Sequence, residues 1–128
     1  MKVYLAGPIF QCKDTECIDW RQKAKKLLNG IDVLDPMDRD YRGATTENYE
    51  IIVEEDKASI DTADVLLINH IKASVGTSME VLYAWERDKH IVIINPYGEI
   101  SPWLIYHSHK ICGSIDDAVA YIHSLPRL

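Results

Sequence analysis

Two runs, Val65-Leu66-Leu67-Ile68-Asn69 and Ile91-Val92-Ile93-Ile94-Asn95, constrain the fold of this chain more than any other feature. Neither alternates apolar with polar residues, so neither offers a face to water. Strands of that kind are buried on both sides, in the middle of a parallel sheet covered by helices. The flanking pattern fits that frame. Residues 3–6 read as a short buried strand ending at Gly7-Pro8, and residues 31–34 as a second strand. Between them, Asp14 or Thr15 can cap a helix whose Cys17, Trp20, Ala24, Leu27 and Leu28 keep helical spacing, with Asn29-Gly30 as its stop. Residues 35–45 are a polar loop, and about 47–62 a helix. Ser101-Pro102-Trp103 reads as the start of another helix, residues 111–112 as a last short strand, and Ser114-Ile115-Asp116-Asp117 as the capped start of a terminal helix. Strand alternating with helix predicts an α/β fold with a mostly parallel sheet and helices on both faces. The 128 residues form a single domain, 1–128, with no repeat or linker.

Charge and cysteine usage narrow the function classes. A net charge of -6 opposes a nucleic-acid partner, which requires a basic field to displace counterions from phosphates. Cys12, Cys17 and Cys112 form no C-x-x-C pair and leave one over, a poor basis for a disulfide framework or a zinc site. His107-Ser108-His109 lacks further ligands at a suitable spacing, and no metal is expected. The chain enters a strand at once without a charged leader, and no apolar run is long enough to span a bilayer, so a cytoplasmic protein with no membrane partner is expected.

The candidate chemistry lies in carboxylates. Glu80 follows the small residues Ser74, Gly76, Thr77 and Ser78 and is expected in the first turn of a helix, just after an apolar strand. That is the carboxyl edge of the sheet, where open α/β folds bind ligands. There the helix N-terminus favours the ionised acid, making Glu80 a candidate nucleophile, or simply an acid that complements the helix dipole. Asp56 falls on the stripe Tyr49, Ile52, Val53, Asp56, Ile60 and Ala63, expected to face inward. Desolvation would raise its pKa and suit it to proton donation; an Asp paired with an Arg at the edge of the stripe is the other reading. The loop at Gly7 is neither a dinucleotide fingerprint nor a P-loop. It permits close approach of a ligand, and Tyr4 beside it is a strand aromatic whose hydroxyl could reach a carboxylate. The loop from Asp35 to Gly43 offers donors, acceptors and one aromatic face to a planar base.

Taken together, Tyr4-Leu5-Ala6-Gly7-Pro8-Ile9-Phe10, Asp56 with Ile60 and Asp64, and Gly76-Thr77-Ser78-Met79-Glu80 resemble the nucleoside 2-deoxyribosyltransferase family. The resemblance covers roughly the first three quarters of the chain. It implies a flavodoxin-like, Rossmann-like three-layer sandwich with a five-stranded parallel sheet, a homodimer or larger homo-oligomer, and no cofactor. It further implies that a base–deoxyribose bond breaks through a covalent sugar–carboxylate intermediate, with Glu80 as nucleophile, Tyr4 orienting it and Asp56 handling the base proton. A nucleoside or nucleotide and a free nucleobase are the implied small-molecule partners. Gly7, Pro8, Ile9, Phe10, Ser74, Gly76 and Ser78 are the implied substrate-binding positions, and Asp40 the acceptor for the base. Family members acting on free nucleosides carry Asp where this chain has Ser74. The related 2'-deoxynucleoside 5'-phosphate N-hydrolases resemble it better, since a Ser there can donate to a 5'-phosphate that an Asp would repel. Transfer to a second base and hydrolysis are therefore both open. A nucleotide-sensing domain without chemistry is the rival from another class, and the retention of Tyr4, Asp56 and Glu80 argues against it.

Overall fold

The two apolar runs become the centre of the sheet in a computed structural model that describes residues 1–127. The strands are β1 (Lys2–Ala6), β2 (Asp32–Leu34), β3 (Val65–Asn69), β4 (His90–Ile94) and β5 (Lys110–Cys112). All pair in parallel in the order β2-β1-β3-β4-β5, with Val65 opposite His90 and Tyr4 between Leu34 and Leu66. Between and after them lie the helices α1 (Asp14–Cys17), α2 (Asp19–Leu27), α3 (Tyr49–Thr62), α4 (Val75–Trp85), α5 (Pro102–Tyr106) and α6 (Ile115–Ser124). The result is the flavodoxin-like three-layer architecture.

Period-two alternation sends successive strand residues to opposite layers. Val3, Leu5, Leu67, Val92 and Ile94 pack on one side against Trp20 and Ala24 of α2 and Ala118, Val119 and Ile122 of α6. Tyr4, Ala6, Leu66, Ile68, Ile91 and Ile93 pack on the other against Ile60 of α3, Val81 and Ala84 of α4, and Leu104 of α5. Burying each of these aliphatic side chains stabilises the fold by roughly 1.5–3 kcal/mol, and loading both faces makes the parallel arrangement the favoured one. Parity also has a functional consequence: Tyr4 points into the layer that contains α3 and α4.

The first helical region departs from its sequence pattern. It is split at Ile18, and its first N-cap is Lys13 rather than Asp14 or Thr15. The backbone N–H of Lys13 donates to the Glu16 carboxylate at 2.9 Å, so an acid inside the turn does the capping from the other direction. Ser74, Ser101 and Ser114 accept from backbone N–H groups at the starts of α4, α5 and α6. Among the described residues no helix is long and apolar enough to cross a membrane.

Candidate active site

The chain runs outward from β1 to β2, then returns to lay β3 on the other side of β1. Two loops therefore diverge above the carboxyl ends of β1 and β3, leaving a crevice of the kind that holds ligands in open α/β sheets. Here it is a cavity of about 680 Å³. The β1 loop supplies Gly7, Ile9, Phe10 and Gln11; the loop after β2 supplies Met37, Arg39, Tyr41 and Arg42; α3 contributes Asp56, and α4 contributes Ser74, Gly76, Thr77 and Glu80. Gly7 is packed closely: a Cβ there would lie 3.0 Å from the Trp20 ring and 3.4 Å from the Asn69 carbonyl oxygen, so the Trp20 ring would have to shift.

At the floor, the Tyr4 hydroxyl donates a hydrogen bond to a Glu80 carboxylate oxygen. Glu80 is not where the sequence put it. Because Ser74 is the N-cap and Gly76 adopts helical geometry rather than a turn, α4 begins at Val75 and Glu80 is its sixth residue, in the second turn. No free helical N–H is left to stabilise its charge, since those belong to the first turn. Burial dominates instead and pushes the Glu80 pKa up to about 8, against the lowering effect of the Tyr4 hydrogen bond, with Asp56 raising it further and Arg21 lowering it. The expected ionised carboxylate is thus mostly protonated in the free protein near neutral pH. The Tyr4 hydroxyl, buried beside Glu80 and Asp56, is itself shifted far upward and remains a donor.

Asp56 lies on α3 facing the same space. Desolvation raises its pKa to about 6, opposed by Arg39, whose guanidinium is 3.5 Å away, and reinforced by neighbouring Glu55. Its stripe is only partly inward: Ile60 and Ala63 are buried, whereas Tyr49 and Val53 are exposed, at 63% and 46%. The first half of α3 overhangs the cavity, with Tyr49, Ile52 and Val53 in its wall, and only the second half reaches the core.

Three implied binding residues do not reach the cavity wall. Asp40 turns away to a fork with Arg42, at 2.7 Å from its Nη2, which holds the carboxyl below its usual range. Ser78 is exposed on the outer side of α4, and Thr77 lines the cavity in its place. Pro8 is buried beneath the loop, while Gly7, Ile9 and Phe10 on either side face the space.

Sequence reasoning missed the support behind this site. Arg21 is fully buried. Its Nη1 donates to the Cys17 carbonyl at 2.7 Å, its Nη2 reaches the carbonyls of Leu5 and Gly7, and its Nε faces Asp35 at 3.2 Å. Asp35 also pairs with Lys25 at 2.8 Å and accepts from the backbone N–H of Met37. One guanidinium thus ties the end of β1 to the start of the loop after β2, and its charge reaches Glu80. The clue was position: Arg21 lies four residues after Cys17 and three before Ala24, on the apolar stripe itself.

Among the described residues, no group of three or more His, Cys, Asp or Glu is placed to hold a metal ion. The cavity holds two carboxyl groups, Glu80 at its floor and Asp56 at its wall, pushed to different pKa values.

Known proteins share this arrangement at the level of fold. A 2-deoxyribosyltransferase from Bacillus psychrosaccharolyticus superposes with a TM-score of 0.75 at 20% identity, over 98% of this chain and 93% of the other. A 2-desoxiribosyltransferase from Leishmania mexicana gives 0.69 at 21% identity, over 97% and 99%. A CMP N-glycosidase from Clostridium botulinum gives 0.62 at 15%, over 96% and 99%. No curated protein matches the sequence significantly. The family model for nucleoside 2-deoxyribosyltransferase, however, matches residues 3–101, from β1 through the start of the α5 region and including Tyr4, Asp56 and Glu80. The chain therefore belongs to the nucleoside 2-deoxyribosyltransferase family and is an enzyme of the N-glycosidic bond.

Proposed function

We propose that this protein cleaves the N-glycosidic bond of 2'-deoxynucleosides or their 5'-monophosphates through a covalent deoxyribosyl–Glu80 intermediate and passes the sugar to another base. The observation that carries the proposal is the Tyr4–Glu80 pair at the cavity floor, with Asp56 facing the same space. The ionised Glu80 carboxylate attacks C1' from the side opposite the base. The C1'–N bond breaks, its electron pair goes to the base nitrogen, and the base takes a proton from Asp56. An incoming base then attacks C1', returns its proton to Asp56, and releases the Glu80 carboxylate. Ionised Glu80 is scarce in the free protein at neutral pH, where its pKa is about 8. Positive charge developing at C1' favours the anion most in the transition state, and the Tyr4 hydroxyl is already positioned to stabilise it. A pKa of about 6 lets Asp56 both give and take a proton near neutrality.

A second reading, hydrolysis of 2'-deoxynucleoside 5'-monophosphates, is favoured by the first turn of α4. Ser74 accepts from the Thr77 N–H at 3.3 Å and keeps its own proton to donate, and a Cβ on Gly76 would meet nothing within 4 Å, so there is room for a phosphate at the start of α4. Incubation with each deoxynucleoside and each monophosphate, with and without a free base, separates the readings. Base exchange supports transfer; sugar phosphate released without an acceptor supports hydrolysis; intact substrates throughout contradict both. We also read the protein as a homo-oligomer, on the exposure of Phe10 in the cavity lining and of Val75 and Met79 on α4, which light scattering tests.

A further inference from the structure

Asp56 is flanked by a chain of polar contacts that the reaction scheme above leaves unused. The chain starts on the loop after β2 and ends on α3. The Tyr41 hydroxyl donates to Glu55 at 3.1 Å. Glu55 in turn is in close contact with Nε of Arg39, and Nη2 of Arg39 reaches Asp56 at 3.5 Å. One guanidinium thus serves two adjacent carboxylates, through an ion pair to Glu55 and a hydrogen bond to Asp56. The exposures of Arg39, Glu55 and Asp56 side chains are 36%, 29% and 23%, so these charges are only partly screened.

We propose that Arg39 is a positioning residue that sets the protonation and direction of the Asp56 carboxyl, and that Glu55 governs how much of the Arg39 charge reaches it. The proposal rests on the reading of Asp56 as the group that exchanges a proton with the base. Its other charged or titratable neighbours are fixed by the fold: Glu80 on α4, Tyr4 on β1 and Arg21 on α2 all act on or with Asp56 through the shared space. Arg39 and Tyr41 arrive from a loop instead, and Arg39 is the one of the two that carries a charge, so it is the component whose movement by a bound base would act on Asp56. A base that draws the loop inward would bring Arg39 closer to Asp56 and favour its anion. Loosening the contact returns the proton-holding form.

The sign of each perturbation follows from Coulomb attraction. Removing Arg39 takes away the cation that opposes the desolvation of Asp56, so Asp56 holds its proton to higher pH. Removing the charge of Glu55 has the opposite effect, because a repelling neighbour is lost and Arg39 is released toward Asp56. Arg39→Lys keeps the charge without the fork and falls between wild type and Arg39→Met.

The test is a carbon-13 NMR titration of the Asp56 carboxyl in wild type, Arg39→Met, Arg39→Lys and Glu55→Gln, beside pH–rate profiles on deoxynucleosides with good and poor leaving bases. The expected shifts are about one unit upward for Arg39→Met and about half a unit downward for Glu55→Gln. The pH limb assigned to Asp56 should move with them, and the poor leaving base should show the larger loss in Arg39→Met. An Asp56 midpoint that stays put, or moves the same way in Arg39→Met and Glu55→Gln, overturns the proposal. If the midpoints shift as expected while wild type leaves every deoxynucleoside and monophosphate intact, the role of Arg39 stands and the proposed function falls.

Discussion

The floor and the wall of the cavity are built on opposite principles. The floor, Tyr4 and Glu80 backed by Arg21, belongs to a strand and helices packed in the core: Tyr4 and Arg21 are fully buried. The wall, Arg39, Tyr41 and Arg42, hangs on a loop and is held by ion pairs to partly exposed partners, Glu55, Asp14 and Asp40 among them. Contacts of the second kind are individually weak. In the proposed reaction, bond breaking belongs to the region set in the core and substrate recognition to the region held at the surface.

Substitutions at the floor should therefore cost far more than substitutions in the wall. Glu80→Ala should lower turnover by three or more decades, about 4 kcal/mol or more of transition-state stabilisation, measured as kcat/KM on the preferred substrate. A loss under tenfold would remove Glu80 from the chemistry. Asp56, at the boundary, should split by substrate: Asp56→Asn should cost about two decades or more on poor leaving bases and far less on activated ones. Equal losses on both would give Asp56 to structure.

Arg21 tests whether the floor depends on what lies beneath it. Arg21→Met leaves Asp35 buried without its guanidinium, and should destabilise the fold by about 3 kcal/mol in chemical denaturation, at the lower end for a broken buried pair because Lys25 remains 2.8 Å from Asp35. Wild-type stability in this variant would mean that Lys25 alone satisfies Asp35.

The partly buried Glu80 should also be visible in stability. Glu80 keeps its proton in the fold up to about pH 8, against an ordinary value of 4.5. Between those values the folded state binds more protons than the unfolded one, so stability is full below the lower value and is lost as pH rises through the upper one. From pH 5.5 to 8.5 that loss is on the order of 2–3 kcal/mol. Glu80→Gln removes the titration, and its denaturation midpoint should change less over this range than that of wild type; parallel curves would contradict the burial account. The smallest effect belongs to the wall: Arg42→Ala, outside the Asp56 network, should change kcat/KM by about fivefold or less.

These differences also explain what could be read from sequence. The strands at β3 and β4 were legible because burial on two faces leaves an unbroken apolar run; Glu80 stood out as an acid following such a run, and Asp56 as an acid on a helical stripe. The turn that Glu80 occupies was not, because Gly76 suits a helix start as well as a loop, and that single ambiguity reversed the expected charge state. Asp40 and Arg39 are neighbours in a polar loop, and composition alone has no means of telling which one turns to the cavity. Arg21 escaped notice because a buried arginine depends on partners, Asp35 and three carbonyl groups, that only the fold assembles.

The proposed reaction turns on a bond between Glu80, at the cavity floor, and the sugar. Incubating the protein with 2'-fluoro-2'-deoxynucleosides and their monophosphates, which destabilise the cationic transition state and slow release of the sugar, followed by peptide mass spectrometry, tests it directly. One fluorodeoxyribosyl adduct, with or without phosphate, is expected on the peptide containing Glu80 and none in Glu80→Gln. An adduct on another residue, or release of base with no adduct at any time point, would contradict it.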